Sequence, residues 1–183
     1  MKKSKYADCY EKRTTLDENG NVARDQYVYI GDYFCFDKDD KQMLRIKNII
    51  LAIALFSFII YFFSGFIDSG GSRVFYVLLP FVCAFLPIAF MLIAAVQFRF
   101  KQDDFTIFEY ERIWVRLKFT GIAAIFLLSI SILGELLFLC FTYHSIPMFK
   151  ESVYLLCCLS VVCFNLILLH LHTKTACLKV NGS

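Results

Sequence analysis

Long apolar runs alternate with short charged segments along this chain. The runs cover residues 46–67, 74–98, 119–143 and 153–171, and Glu135 is the only acidic residue in them. About 20 consecutive apolar residues are enough to cross the hydrocarbon core of a bilayer as a helix. The pattern therefore predicts four transmembrane helices.

The two connections expected outside the cell are short. Residues 68–73, with Gly70 and Gly71, join the first two runs, and residues 144–152 join the last two. Short connections force consecutive helices to lie side by side and antiparallel. The predicted fold is an all-α membrane protein, a four-transmembrane-helix bundle built from two antiparallel helical hairpins over residues 38–172.

Residues 1–37 follow a different pattern and predict a small β-hairpin head. Residues rich in Tyr, Val, Thr and Ile flank Asn19-Gly20, and Asn-Gly is a strong hairpin turn signal because both residues tolerate positive φ. Two or three short strands are not stable alone in water. The head is therefore expected to pack on its own bundle, on the lipid headgroups, on a second copy or on a partner's sheet.

Residues 104–118 predict an amphipathic helix that leads into the third span, with Asp103 or Asp104 as its N-cap. Its apolar positions recur at helical spacing, although the aromatic and branched residues also fit a strand joining the head's sheet. Aromatic and basic side chains next to a span are typical of the membrane interface. The predicted interface anchors are Trp114, Arg112, Arg116 and Lys118.

Basic residues lie mainly beside the head, the 99–118 connection and the tail, whereas Arg73 and Lys150 are the only ones in the other two connections. Lys and Arg are retained on the cytoplasmic side. The distribution predicts an integral plasma-membrane or inner-membrane protein with both termini cytoplasmic, a short cytoplasmic tail at 173–183, and no cleavable leader. The cytoplasmic and intramembrane placement of the 8 cysteines argues against disulfides.

Glu135 is the strongest candidate for chemistry, because a carboxylate in hydrocarbon costs several kcal/mol. Ser131 and Thr142 share its helix stripe, and Ser160 is expected at a similar depth. One hypothesis is that Glu135 binds a cation or carries a proton. The other is a protonated carboxyl that only hydrogen-bonds between helices, or a carboxyl that reaches the outer interface.

Asn165 and Cys158 lie seven residues apart on the fourth span and so share a face, with His172 seven residues further on. Polar residues at this spacing commonly hold membrane helices together, which predicts a helix–helix contact. No metal-binding spacing, nucleophile motif or phosphate-binding loop is present in the sequence, so no metal or other cofactor is expected.

These features favour a non-enzymatic polytopic membrane protein that works as an accessory or regulatory subunit. Its expected partners are the lipid bilayer and another membrane protein or a second copy of itself, and not nucleic acid. The alternative is a small oligomeric transporter or channel that uses Glu135 for proton or cation coupling. A membrane enzyme using Cys157, Cys158 or His172 is a third hypothesis.

Overall fold

The computed structural model describes residues 9–16, 22–31, 33–36, 39–101, 105–142, 148–175 and 177–180. Helix α1 covers Asp40–Ser64, α2 Phe75–Phe100, α3 Ile107–Tyr110, α4 Arg116–Thr142 and α5 Met148–Lys174. Within this described part, four helical stretches are long and apolar enough to cross a membrane, with α3 and α4 forming one of them. The all-α membrane class predicted from the apolar runs is confirmed.

The four long helices form a closed ring. Helix α1 packs on α2 and α5, and α4 packs on the same two helices. Between α1 and α2, Lys47 donates to the Lys101 carbonyl at 2.8 Å and the Tyr61 hydroxyl donates to the Phe81 carbonyl at 2.7 Å. Large apolar side chains cover the outside, for example Phe126 (65% exposed) and Phe141 (87% exposed), as a lipid-facing surface requires.

Two buried clusters fill the interior of the ring. One lies towards the end that carries the β-strands and includes Met91, Phe98, Trp114 and Leu117. The other lies towards the 65–74 connection. Its buried members are Tyr61, Val77, Phe81, Ala84, Ile88, Ala124, Leu128, Tyr154, Cys158 and Val161.

The head contains a two-stranded antiparallel sheet. Strand β1 (Tyr10–Leu16) pairs with β2 (Val22–Tyr29), from Tyr10 opposite Tyr29 to Leu16 opposite Val22, with a bulge between Thr15 and Leu16. The predicted Asn19-Gly20 turn lies outside the described residues.

A second sheet joins three distant parts of the chain. Strand β3 (Tyr33–Phe36) is central, and β4 (Phe105–Thr106) and β5 (Cys177–Val180) pair antiparallel with its two edges. The head, the 99–118 connection and the tail are therefore connected by backbone hydrogen bonds. The sequence predicted no strand in the tail.

The segment before the third span is a short strand and then a helix, so each of the two interpretations describes part of it. The helix begins after Thr106, not after Asp103 or Asp104, which lie outside the described residues. Thr106 accepts from the Glu109 backbone N–H at 3.3 Å, and the Glu109 carboxylate accepts from the Thr106 N–H at 3.1 Å. This capping box fixes the start. Residues Glu111–Val115 form a π-helical turn that continues into α4.

Candidate functional site

Glu135 lies on α4 and is fully buried within the protein, at 0% exposure. The preceding residue allows α4 to approach α2 closely: a Cβ at Gly134 would lie 3.2 Å from the Tyr76 carbonyl oxygen and 3.2 Å from the Val77 side chain. The Tyr76 carbonyl lies four residues before Pro80 in α2. Because proline has no N–H, this carbonyl lacks its usual helical hydrogen bond. The close approach directs Glu135 towards the inside of the ring.

A second carboxyl group meets Glu135 there. Glu151 lies in the first turn of α5 and is 1% exposed. Its Oε1 accepts a hydrogen bond of 2.6 Å from the Gly70 backbone N–H, in the connection between α1 and α2. The partial positive charge of a helix N-terminus also favours negative charge at this position.

The connection between α1 and α2 lies directly on both carboxyl groups. A Cβ at Gly70 would lie 3.3 Å from Glu151 Oε1, and a Cβ at Gly71 would overlap both carboxylate oxygens of Glu135. Only glycine fits over Glu135 in this arrangement. Gly70 and Gly71 are neighbours in the chain, so these contacts bring the two carboxyl groups together.

The connection itself is held by its own hydrogen bonds. Ser69 Oγ accepts from the Ser72 N–H at 3.1 Å, and the Ser72 hydroxyl donates to the Ser69 carbonyl at 2.7 Å. On its exposed side, Arg73 donates to Asp68 at 2.9 Å, and this hydrogen bond and the charge of Arg73 lower the pKa of Asp68. The turn thus presents the Gly70 N–H in a fixed direction.

The pair contains few hydrogen-bond donors. Three oxygens receive no hydrogen bond from any donor in the described ranges: both oxygens of Glu135, and Oε2 of Glu151. The carboxyl groups lie against the neighbouring glycines Gly71 and Gly70, so they are side by side under one turn. Two ionised carboxylates have no proton to share, so a hydrogen bond between them exists only when one of them is protonated.

Ser131 lies on α4 one helical turn before Glu135. It is fully buried, its hydroxyl lies 3.1 Å from the Val77 carbonyl and 3.2 Å from the Tyr154 hydroxyl, and either hydroxyl can donate in the second contact. These bonds link α4 to α2 and α5 beside the carboxyl pair.

Ser160 is not part of the site, contrary to the expected depth. Its hydroxyl donates to the Leu156 carbonyl of its own helix at 2.7 Å, on an exposed part of the helix. Helix α5 begins at Met148, five residues before the apolar run, so Glu151 and not Ser160 reaches the level of Glu135. The side chain of Thr142 lies outside the described residues.

Asn165 and Cys158 both face the inside of the bundle, at 0% and 1% exposure. The Asn165 side chain donates to the Val161 carbonyl at 2.8 Å, and its Oδ1 lies 3.8 Å from where a Cβ of Gly121 on α4 would be. The predicted shared face therefore lies between α5 and its neighbours, with Asn165 opposite the glycine of α4.

The structure contradicts the assignment of Trp114 to the lipid interface. Its indole is 2% exposed and stacks on His172 with ring centroids 4.1 Å apart, and it also packs against Phe36 and Phe98. Trp114 belongs to the π-helical turn Glu111–Val115. Ring stacking on His172 had no signal in the sequence, because the two residues are far apart in the chain.

The other three anchor residues stay at the surface. Arg112 and Lys118 are exposed and Arg116 is half-buried. The guanidinium of Arg112 lies 5.8 Å from the Phe108 ring centroid. The guanidinium of Arg116 lies 6.0 Å from the Phe90 ring centroid. This exposed basic surface is where the sequence places the headgroup layer.

Glu151 is the functional candidate that sequence reasoning missed. The apolar pattern places it in the 144–152 connection, which gives no indication that it reaches Glu135. A signal was available: Lys150, Glu151 and Ser152 directly precede an apolar run, as the polar first turn of a helix does.

No group of three or more His, Cys, Asp or Glu side chains in the described part of the chain could hold a metal ion. The cysteines with described side chains are free thiols. No family model, curated protein or solved structure matches this chain. The buried carboxyl pair remains the best-defined candidate site on structural grounds.

Proposed function

We propose that this polytopic membrane protein is a non-enzymatic accessory or regulatory subunit. It acts through contacts of its head with another membrane protein or with a second copy of itself. The observation that carries the proposal is the β1–β2 sheet, whose strands pair with each other and with no other strand among those described.

Two-stranded sheets are marginal in water, and their open edges invite a further strand. Strands of seven and eight residues leave edges long enough for strand addition, in which backbone hydrogen bonds supply affinity. The sheet is tied to the bundle near one end, where the Tyr29 hydroxyl accepts from the Ile107 N–H at 3.1 Å. A partner that pairs with β1 or β2 would therefore be held close to the membrane.

The filled interior also favours interaction over transport by one chain. Aromatic rings of Phe36, Phe98, Phe105 and Trp114 pack together at the sheet end. The glycine turn covers the carboxyl pair at the other end. A substrate crossing this bundle would have to separate both packed regions.

The test is cross-linking in native membranes at native expression. We expect wild-type protein to cross-link either to a foreign protein or to a species of twice the 21.3 kDa chain mass, and these products distinguish the two partners. Replacing residues 9–28 with a Gly/Ser linker of equal length should remove the product while the chain still inserts.

Asp68→Asn, at the opposite end of the bundle, is the matched control and should cross-link as wild type does. A wild-type chain that stays monomeric, or a linker variant that cross-links normally, contradicts the proposal.

The orientation belongs to the same proposal: the sheet end and both termini face the cytoplasm of a plasma or inner membrane. The basic side chains of Arg112, Arg116 and Lys118 at the sheet end support this, since such residues are retained inside. Labelling of a tag at either terminus from outside intact cells would contradict it.

The second candidate is a small oligomeric transporter or channel that uses Glu135 for proton or cation coupling. Glu151 beside it favours this candidate, because paired carboxyl groups can bind and release a cation. The route would have to lie between copies. Flux in proteoliposomes that disappears in Glu135→Gln supports it, and no flux above empty vesicles at any pH contradicts it.

A further inference from the structure

Two acidic side chains share a nearly closed space at the 65–74 end of the bundle, away from the head on which the proposed subunit function rests. Glu135 is 0% and Glu151 1% exposed. Placing two negative charges side by side in a buried site is strongly unfavourable, so such pairs hold a proton or a metal cation.

The available donors distinguish the two carboxyl groups. Glu151 accepts from the Gly70 N–H at 2.6 Å and lies in the first turn of α5, and both features stabilise an anion. Both oxygens of Glu135 lack a donor among the described residues. A proton on one oxygen of Glu135 can be donated to Oε2 of Glu151, which gives a partner to two of the three oxygens that lack one.

We propose that Glu135 and Glu151 form a buried proton-binding site, in which Glu135 is the acid, Glu151 is the carboxylate, and the Gly70–Gly71 turn closes over them. Binding adds one proton from water to the Glu135 carboxylate. Release returns the proton to water and leaves two anions under the turn. The repulsion between these two anions opens the turn.

Other groups around the pair do not replace this proton. Tyr154 and Cys158 face it from α5, and the Tyr154 hydroxyl is engaged with Ser131. Tyr76 of α2 lies beside Gly134. Asp68 and Arg73 of the connection are exposed and pair with each other at 2.9 Å, so the guanidinium is occupied.

A metal cation would need further ligands, and hard cations prefer six or more oxygens. The pair supplies three carboxyl oxygens without a donor, and Gly71 rests directly on Glu135. A proton needs no such space. The test therefore includes cations as an outcome that would overturn the proposal.

The test is pH-difference infrared spectroscopy of the full chain in lipid nanodiscs. We expect a protonated-carboxyl C=O band that persists above the pH range in which exposed glutamates are protonated, grows as the pH falls and shifts when glutamate is ¹³C-labelled. The band should be absent from Glu135→Gln, whose amide still donates to Glu151. In Glu151→Gln the band should still be present at low pH, but its pH transition should move. The reason is that Glu135 then has no anionic neighbour.

A wild-type spectrum without this band, a band insensitive to glutamate labelling, or the same titration in Glu135→Gln would each overturn the proposal. The absence of the band from wild type overturns the proposal even if a variant does not fold. Carboxylate bands of the pair that shift on adding Na⁺ or Ca²⁺ would show that the site binds a metal cation and not a proton.

Hydrogen exchange reports the response of the turn. In wild type, we expect the protection factors of amides 66–74 to fall about tenfold once the pair is deprotonated. In Glu135→Gln they should stay constant over the same range. Protection that does not depend on pH in wild type would contradict the opening of the turn.

Discussion

The two ends of the bundle are closed by different kinds of interaction. At the sheet end, Phe36, Phe98 and Trp114 pack together, and strands from three parts of the chain lie over them. At the other end, two carboxyl groups lie under a glycine turn. Apolar packing contributes at any pH, whereas the carboxyl pair is stable only in one charge state.

This difference suggests a division of roles. The sheet end joins the head, the 99–118 connection and the tail into one unit and so provides a fixed platform. The carboxyl pair contains three of the six buried side-chain oxygens that lack a hydrogen-bond partner among the described residues, both of Glu135 and one of Glu151. Buried polar groups without partners are costly, so this end is the less stable of the two.

The largest expected effect is at the sheet end. Trp114→Ala removes a 2% exposed indole that contacts Phe98 and stacks on His172. We expect the free energy of unfolding to fall by about 3–5 kcal/mol, because a large cavity replaces the ring. Denaturant titration in mixed micelles measures it.

Phe126→Ala is the matched control, because that ring is 65% exposed on the outside of α4 and faces lipid. It should change stability far less than Trp114→Ala does. Equal losses from the two substitutions would mean that the sheet end has no packed core.

At the carboxyl end, the sharpest test is Gly71→Ala. A methyl group there would overlap the Glu135 carboxylate, so we expect a loss of about 1–3 kcal/mol in the free energy of unfolding. Adding Glu135→Ala makes room for the methyl, so the double variant should lose less than the sum of the two single losses.

Gly121→Ala is the control, since its Cβ would meet Leu169 at an ordinary 3.5 Å. It should cost little, and alanine is the better helix former. Additive losses in the double variant would contradict the contact between Gly71 and Glu135.

The same comparison shows what sequence can predict. The four long helices follow from apolar runs, because a backbone in hydrocarbon must satisfy its own hydrogen bonds. Ser131, Asn165 and Cys158 were placed on buried faces from helical spacing alone. These predictions depend only on periodicity, which every turn of a helix repeats.

Contacts between distant segments could not be predicted in this way. Strand β5 is four residues long and exists because β3, about 140 residues earlier in the chain, offers an edge. Glu151 was missed because its depth depends on how α5 is aligned with α4. The sequence places Trp114 at the interface because an aromatic residue beside basic residues is typical there, whereas rings from other segments, Phe36, Phe98 and His172, surround it in the structure.

A smaller effect is expected beside the carboxyl pair. Tyr154→Phe removes the hydroxyl that lies 3.2 Å from Ser131, while Ser131 keeps its bond to the Val77 carbonyl. We expect a loss of about 0.6 kcal/mol, typical of hydrogen bonds between membrane helices. Unfolding in mixed micelles measures it.

Ser160→Ala is the matched control, since that hydroxyl bonds to its own helix on an exposed face. It should change neither stability nor the infrared band of the pair. A change in that band would return Ser160 to the Glu135 site, where the sequence had placed it.

The smallest effect is expected from the exposed ion pair of the glycine turn. The hydrogen bond and charge of Arg73 lower the pKa of Asp68. The stabilisation that the pair contributes is therefore fully present above the ordinary pKa of aspartate, and it is lost as the pH falls through the lowered pKa. Asp68→Asn should therefore change stability little at neutral pH, and moderate salt should remove what remains, because water and ions screen exposed pairs. The infrared titration of Glu135 should be the same in this variant. If instead Asp68→Asn moved that titration, the charge at the outer face of the turn, and not Glu151 alone, would set the proton affinity of the buried pair.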